Sequence, residues 1–207
     1  MSLNIPKIRA QFPALARPAI FFDGPGGTQI CQQSLDRMTA YLVDCNANHE
    51  GAFATSAASD VVLDEAHQAM ADFYNAASSE EIVFGNNMTT LTLHLSRSIS
   101  RMWDAGDEIV VTRLDHDANV TPWLLAAEDR GASVNWVGFD VEDGTLNLDE
   151  LQRALVRKPK FLAVGYASNS LGTINPIKKI IKMAHETGTM IYVDAVQYAP
   201  HGVIDVQ

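Results

Sequence analysis

Apolar residues fall along this chain in two alternating rhythms. Five short runs rich in Val, Ile and aromatics read as strands covered on both faces: EIVF (81–84), EIVVT (108–112), SVNWVGF (133–139), KFLAVGY (160–166) and MIYVD (190–194). Between them apolar positions recur at helical spacing. Residues 89–102 bring Leu91, Leu95, Ile99 and Met102 to one side. Residues 119–130 carry Pro122 in a first turn, where it is tolerated. Residues 148–156 follow, then 177–187, which open after Asn175-Pro176 and close at Gly188. Upstream, 32–43 and 60–74 are also amphipathic. Strand–helix alternation at about 25-residue spacing predicts an α/β fold, a mostly parallel sheet with helices on both faces. Ligands in such sheets bind beyond the carboxyl ends of the strands.

The remaining bulk properties narrow the function classes. The chain has 207 residues, 47% hydrophobic and 19% charged, enough for a sizeable core. With no internal repeat or linker, it reads as an N-terminal arm (1–20) and one domain (21–207). A net charge of −10, with acidic residues dispersed, argues against nucleic-acid partners, because the basic clusters at 157–160 and 178–182 are short. Two cysteines, Cys31 and Cys45, make no disulfide framework. The start lacks a signal-peptide core, and no apolar run reaches the ~18 residues of a membrane span. The expectation is a soluble, cytoplasmic protein without a membrane partner.

Chemistry is sought at the strand ends. After EIVF, GNNMTT places Thr89 and Thr90 at a helix mouth, where free N–H groups suit a phosphate. Taken alone, the segment reads first as a plain helix cap by Asn87 or Thr89. After EIVVT, His116 stands between Asp115 and Asp117 and could act as acid or base, stack on a planar ligand, or be satisfied by a neighbouring carboxylate. Metal is disfavoured because no other histidine has ligand spacing to it. Asn169, after KFLAVGY, is either a structural loop amide or a ligand-orienting one. Asp194, ending MIYVD, is a carboxylate that needs a cation, a helix N-terminus or a ligand, with Gln197 three residues on. FFDGPGGTQI (21–30) reads as a tight turn and lacks the dinucleotide fingerprint.

Taken in order, FFDGPGGT, SSEEIVFGNNMTT, LDHDANVTPW, DGTLNLDEL, YASNSLGTINPIKKI and YVDAVQYAPHGVIDVQ resemble the class V aminotransferase family, and within it the cysteine desulfurases. That resemblance implies the large domain of a fold type I enzyme dependent on pyridoxal 5'-phosphate, here its N-terminal half only. It implies that Asp194 pairs with the pyridinium nitrogen and Gln197 with the ring hydroxyl oxygen. His116 would stack on the ring and move protons as the catalytic residue. Thr90, with the backbone at Thr89, would hold the phosphate, and Asn169 would orient the substrate carboxylate. Two departures stand out. Met88 replaces a glycine at the phosphate cup, and the turn after FFD is unusually glycine-rich.

The family's cofactor-carrying lysine lies well beyond the pyridinium aspartate, whereas Lys7, Lys158, Lys160, Lys178, Lys179 and Lys182 all precede Asp194. The expectation is a desulfurase-like carbon–sulfur lyase fragment, inactive alone, whose partners are an amino acid substrate and a second copy in a homodimer. Two alternatives stay open: a non-catalytic binding or assembly module, and, more weakly, a nicotinamide-dependent enzyme.

Overall fold

A computed structural model describes residues 3–207, which form two compact units. One holds the residues up to Val83 together with Ile204–Gln207; the other is Phe84–Val203.

The first unit is helical. Helix α1 (Ile5–Arg9) is short and opens with Pro6, and its Asn4 cap accepts the Lys7 N–H at 3.1 Å. Helix α2 (Gln32–Asp44) is tied to α3 (Ala54–Tyr74) by an Arg37–Glu65 ion pair. The buried Ser59 hydroxyl donates to the Cys45 carbonyl, adding a second tie. Helix α3 starts six residues earlier than its apolar periodicity announces, because small residues fill its first turns. There Ser56 is buried and its Oγ accepts the Gly51 N–H at 2.6 Å. At the other end Asn75 adopts the left-handed conformation (φ 54°) and donates its side-chain amide to Asp205 at 2.8 Å.

The strand expected at 81–84 does not form. Ser79–Glu81 is instead a 3-10 turn capped by Ser78, whose Oγ accepts the Glu80 N–H at 3.1 Å. Glu81 turns back to accept the Ala77 N–H. Among the described residues no strand pairs with this segment. A β-run without a ladder partner leaves its N–H and C=O groups to such local bonds.

In the second unit the expected parallel sheet is present. Strands β1 (Glu108–Thr112), β2 (Ser133–Val137), β3 (Phe161–Gly165) and β4 (Met190–Asp194) lie in the order β2-β1-β3-β4, all parallel. Side chains alternate across it. Val110, Val137, Leu162 and Val164 face helices α6 (Leu148–Val156) and α7 (Ile177–Glu186), with Leu151, Leu155 and Ile180 fully buried against them. Ile109, Val111, Phe161 and Ala163 face the other way, onto Trp103 and the Trp123 of α5 (Thr121–Arg130). Trp123 and Phe161 meet at 4.2 Å between ring centroids. Helix α4 (Met88–Ile99) runs on as one 3-10 turn to Met102 before the chain enters β1.

All site candidates fall within this unit. The turns at the amino edge are plain connectors. Gly131 ends α5 at φ 66° and Gly188 follows α7 at φ 75°, both conformations that glycine adopts without strain.

Candidate functional site

The carboxyl edge of the sheet carries a loop from each of β1, β3 and β4. The register pairs Gly165 with Asp194 at the ends of β3 and β4. One residue on, the Tyr166 N–H donates to the Asp194 carbonyl at 2.7 Å. The Asp194 carboxylate is half-buried. Its Oδ1 accepts the Val196 N–H at 2.9 Å, and among the described residues it forms no ion pair. Lys160 does not supply the cation, for it lies at the opposite edge, 3.9 Å from Asp107.

After β4 the chain turns tightly, with the Tyr198 and Ala199 N–H groups donating to the Ala195 carbonyl. Tyr198 then stacks on Tyr166 at 3.7 Å with the rings within 10° of parallel. This stack holds the turn that bears Gln197 against the end of β3. Asn169 lies in the turn after β3, whose ends are joined by the Ala167–Ile174 bridge. The Ser168 hydroxyl, accepting the Ser170 and Leu171 N–H groups, shapes that turn. The Asn169 and Gln197 side chains are both half-buried.

His116 caps the 3-10 turn Asp117–Asn119, its Nδ1 accepting the Ala118 N–H at 3.0 Å. In the neutral ring the proton is therefore on Nε2, which points the other way. The imidazole is not satisfied by the carboxylates beside it. Asp117 accepts the Thr121 hydroxyl at 2.6 Å, and Asp115 is turned inward.

At the mouth of α4 the capping alternative is realised by Asn87, whose Oδ1 accepts the Thr90 N–H at 2.9 Å. That bond leaves the Met88 and Thr89 N–H groups as the outward donors of a twelve-residue helix. Inside the first turns the buried Thr92 hydroxyl lies 3.1 Å from the Tyr192 hydroxyl. Tyr192 is two residues before Asp194 on β4. The helix mouth and the aspartate are thus linked through one hydrogen bond and one strand. Burial raises the Tyr192 pKa, and the nearby Asp194 charge adds to the effect.

Sequence reasoning passed over Asp115, Asn119, Thr92, Tyr192 and Asn175. Asp115 Oδ1 accepts the Gly165 N–H at 2.7 Å and Oδ2 the Asn119 amide at 2.9 Å. Burial, with Asp194 adding a smaller contribution, pushes its pKa up to about 7 against the pull of the Gly165, Thr112 and Asn119 donors. No set of His, Cys, Asp and Glu among the described residues is grouped to hold a metal ion. No helix among them is long and apolar enough to cross a membrane.

Comparison with known proteins agrees with this architecture. The sequence profile of a family described as aminotransferase class-V matches residues 20–207. The aminotransferase-like protein FGM3 of Gibberella zeae is 36% identical over the whole chain, which covers 52% of that protein. A cysteine desulfurase of Synechococcus elongatus is 35% identical, again over the whole chain but over 34% of its own length. Among solved structures, the apo cysteine desulfurase of Thermococcus onnurineus NA1 superposes with a TM-score of 0.91 at 27% identity, covering 100% of this chain and 50% of that one. The chain spans about half the length, or less, of the relatives it matches.

Proposed function

The chain belongs to the aminotransferase class-V family, and on that premise we propose that it binds pyridoxal 5'-phosphate at the carboxyl edge of its sheet. In this reading it forms the cofactor-facing half of a cysteine desulfurase-like carbon–sulfur lyase acting on an amino acid. The observation that carries the proposal is Asp194, a half-buried strand-end carboxylate with one backbone donor and no ion pair among the described residues. A carboxylate so placed calls for a cationic N–H, and a protonated pyridine nitrogen is one. The residues around it fit the same group.

When bound, the cofactor supplies an electron sink for the substrate's α-carbon. The protein's part is placement. Asp194 holds the proton at the ring nitrogen, and Gln197 donates its amide to the ring oxygen. The Met88 and Thr89 N–H groups, with the Thr90 hydroxyl, receive the phosphate at the positive end of α4. His116 would cover the ring and serve as the proton-moving residue. Asn169 orients the substrate carboxylate. The remainder of the proposal is a cytoplasmic homodimer.

We also assign the cofactor-carrying lysine to none of the six lysines present. Lys160 is drawn to Asp107, and Lys182 lies 3.9 Å from Glu186 on its own helix. Titration with pyridoxal phosphate followed by borohydride and peptide mapping tests both parts. The expected result is saturable binding that Asp194→Ala weakens about tenfold, the loss of one charge-assisted contact. No lysine should be modified. Binding indifferent to Asp194 overturns the site, and reduction onto one of the six lysines overturns the assignment.

The second reading, a non-catalytic binding or assembly module, draws support from β4. Among the described residues it pairs only with β3, and an open parallel edge invites another chain.

A further inference from the structure

Asp115 is a second carboxyl at this edge, and no step assigned above uses it. A continuous line of polar contacts, buried at both ends, runs through it. At one end the fully buried Asn119 turns Oδ1 toward the Trp123 indole N–H, 3.2 Å away. An indole nitrogen only donates, so the amide orientation is fixed, with Nδ2 directed at Asp115. At the other end the Gly165 carbonyl accepts the Asn175 side-chain amide at 2.8 Å. The Asn175 N–H in turn donates to the Tyr166 carbonyl at 2.8 Å.

Gly165 is therefore held on both its N–H and its C=O by side chains from outside the sheet, at the residue in register with Asp194. A Cβ on Gly165 would stand 2.8 Å from Asp115 Oδ1, so the carboxyl reaches the amide only because a glycine is there. Apolar packing already buries β3 completely. The polar line adds a fixed distance between the loop after β1 and the ends of β3 and β4.

We propose that Asp115 is a positioning residue. Together with Asn119 and Asn175 it clamps the end of β3 to the loop bearing His116, and so fixes the spacing between His116 and Asp194. The inference rests on the cofactor reading for its consequence but not for its geometry, and the test separates the two.

In the chain without cofactor, Asp115→Ala is expected to speed amide exchange at Gly165 and Tyr166 about tenfold, as befits one lost hydrogen bond. Exchange in the β1 ladder should be unchanged. The imidazole Cε1–H resonance of His116, assigned with His116→Gln, should shift as well. The paired exchange Asp115→Asn with Asn119→Asp keeps an acceptor for Gly165 and reverses the amide contact between the two side chains, and should restore both signals. Should Asp115→Ala fail to fold, Gly165→Ala forces the same contact apart from the other side and should give the same local signature. With pyridoxal phosphate added, affinity should fall about tenfold in Asp115→Ala and recover in the paired exchange.

Unchanged exchange at Gly165, or a His116 resonance indifferent to Asp115, overturns the clamp. Faster exchange with unaltered cofactor affinity reduces Asp115 to a structural role and overturns the positioning claim. If the parent chain binds no cofactor, the cofactor reading fails, and the exchange and imidazole signals alone decide the clamp.

Discussion

Asp115 sets the clearest expectations for single residues. Its folded pKa of about 7 lies above the 3.8 of a free aspartate. Between those values the unfolded chain has lost the proton that the folded chain keeps, so stability falls as pH rises from about 4 to about 7. This slope is opposite to that of a salt-bridged carboxylate. A urea midpoint higher at pH 5 than at pH 8, with a smaller difference in Asp115→Asn, is the expected result. Trp123→Phe tests the same line of contacts at its far end. It leaves the buried Asn119 oxygen without a donor and should cost about 1–3 kcal/mol in chemical denaturation. The placement of His116 and Asp194 was legible in the sequence because one stands just past an unmistakable strand and the other ends one, where a polar side chain has to be solvated or paired. Asp115 was not legible. Its role depends on Gly165, fifty positions away in the chain, and nothing local distinguishes it from an acid flanking a loop histidine.

Among the elements, α4 carries the phosphate expectation and its cap decides the outcome. Asn87→Ala removes the acceptor of the Thr90 N–H and should destabilise the unit by about 1 kcal/mol. By leaving the first turn frayed it should also weaken inorganic phosphate competition against the cofactor. Tyr192→Phe loosens the same helix from β4 by deleting the bond to Thr92, with an expected loss of about 0.5–1.5 kcal/mol. Denaturation of the two single variants and the double variant measures both, and additive losses would indicate that cap and strand contact act independently. The four strands of the sheet and helices α6 and α7 were legible because each has strong periodicity and clear end signals. Residues 81–84 misled for the same reason. Their composition is that of a strand, but strand formation needs a neighbour, and composition does not report one. The early start of α3 was hidden because Thr55, Ser56 and Ser59 give no apolar rhythm although two of them are buried.

For the whole molecule, the sheet order leaves the outer side of β4 without a ladder partner among the described residues. On that strand Met190 is 44% exposed, and beyond it Val196 is 61% exposed. Unpaired edges next to exposed apolar side chains promote association. Sedimentation of the purified chain is therefore expected to show a dimer or larger species, and a Val196→Lys substitution is expected to shift the distribution toward monomer. A well-behaved monomer in the parent chain would count against both the homodimer and the assembly-module readings. The α/β class was legible from the alternation of rhythms alone. The division into two compact units was not, because no composition shift marks Val83 or Phe84 as a boundary.

The amino edge of the sheet has its own consequence. Every candidate group comes from the carboxyl side, while the turns at Gly131 and Gly188 carry no chemistry, and Gly188 has open space around it. An inserted reporter peptide at Gly188 is therefore expected to leave the segments that bear His116, Asn169 and Asp194 undisturbed. The candidate chemistry thus sits on one rim of the sheet, and a connector on the other rim is left free for engineering.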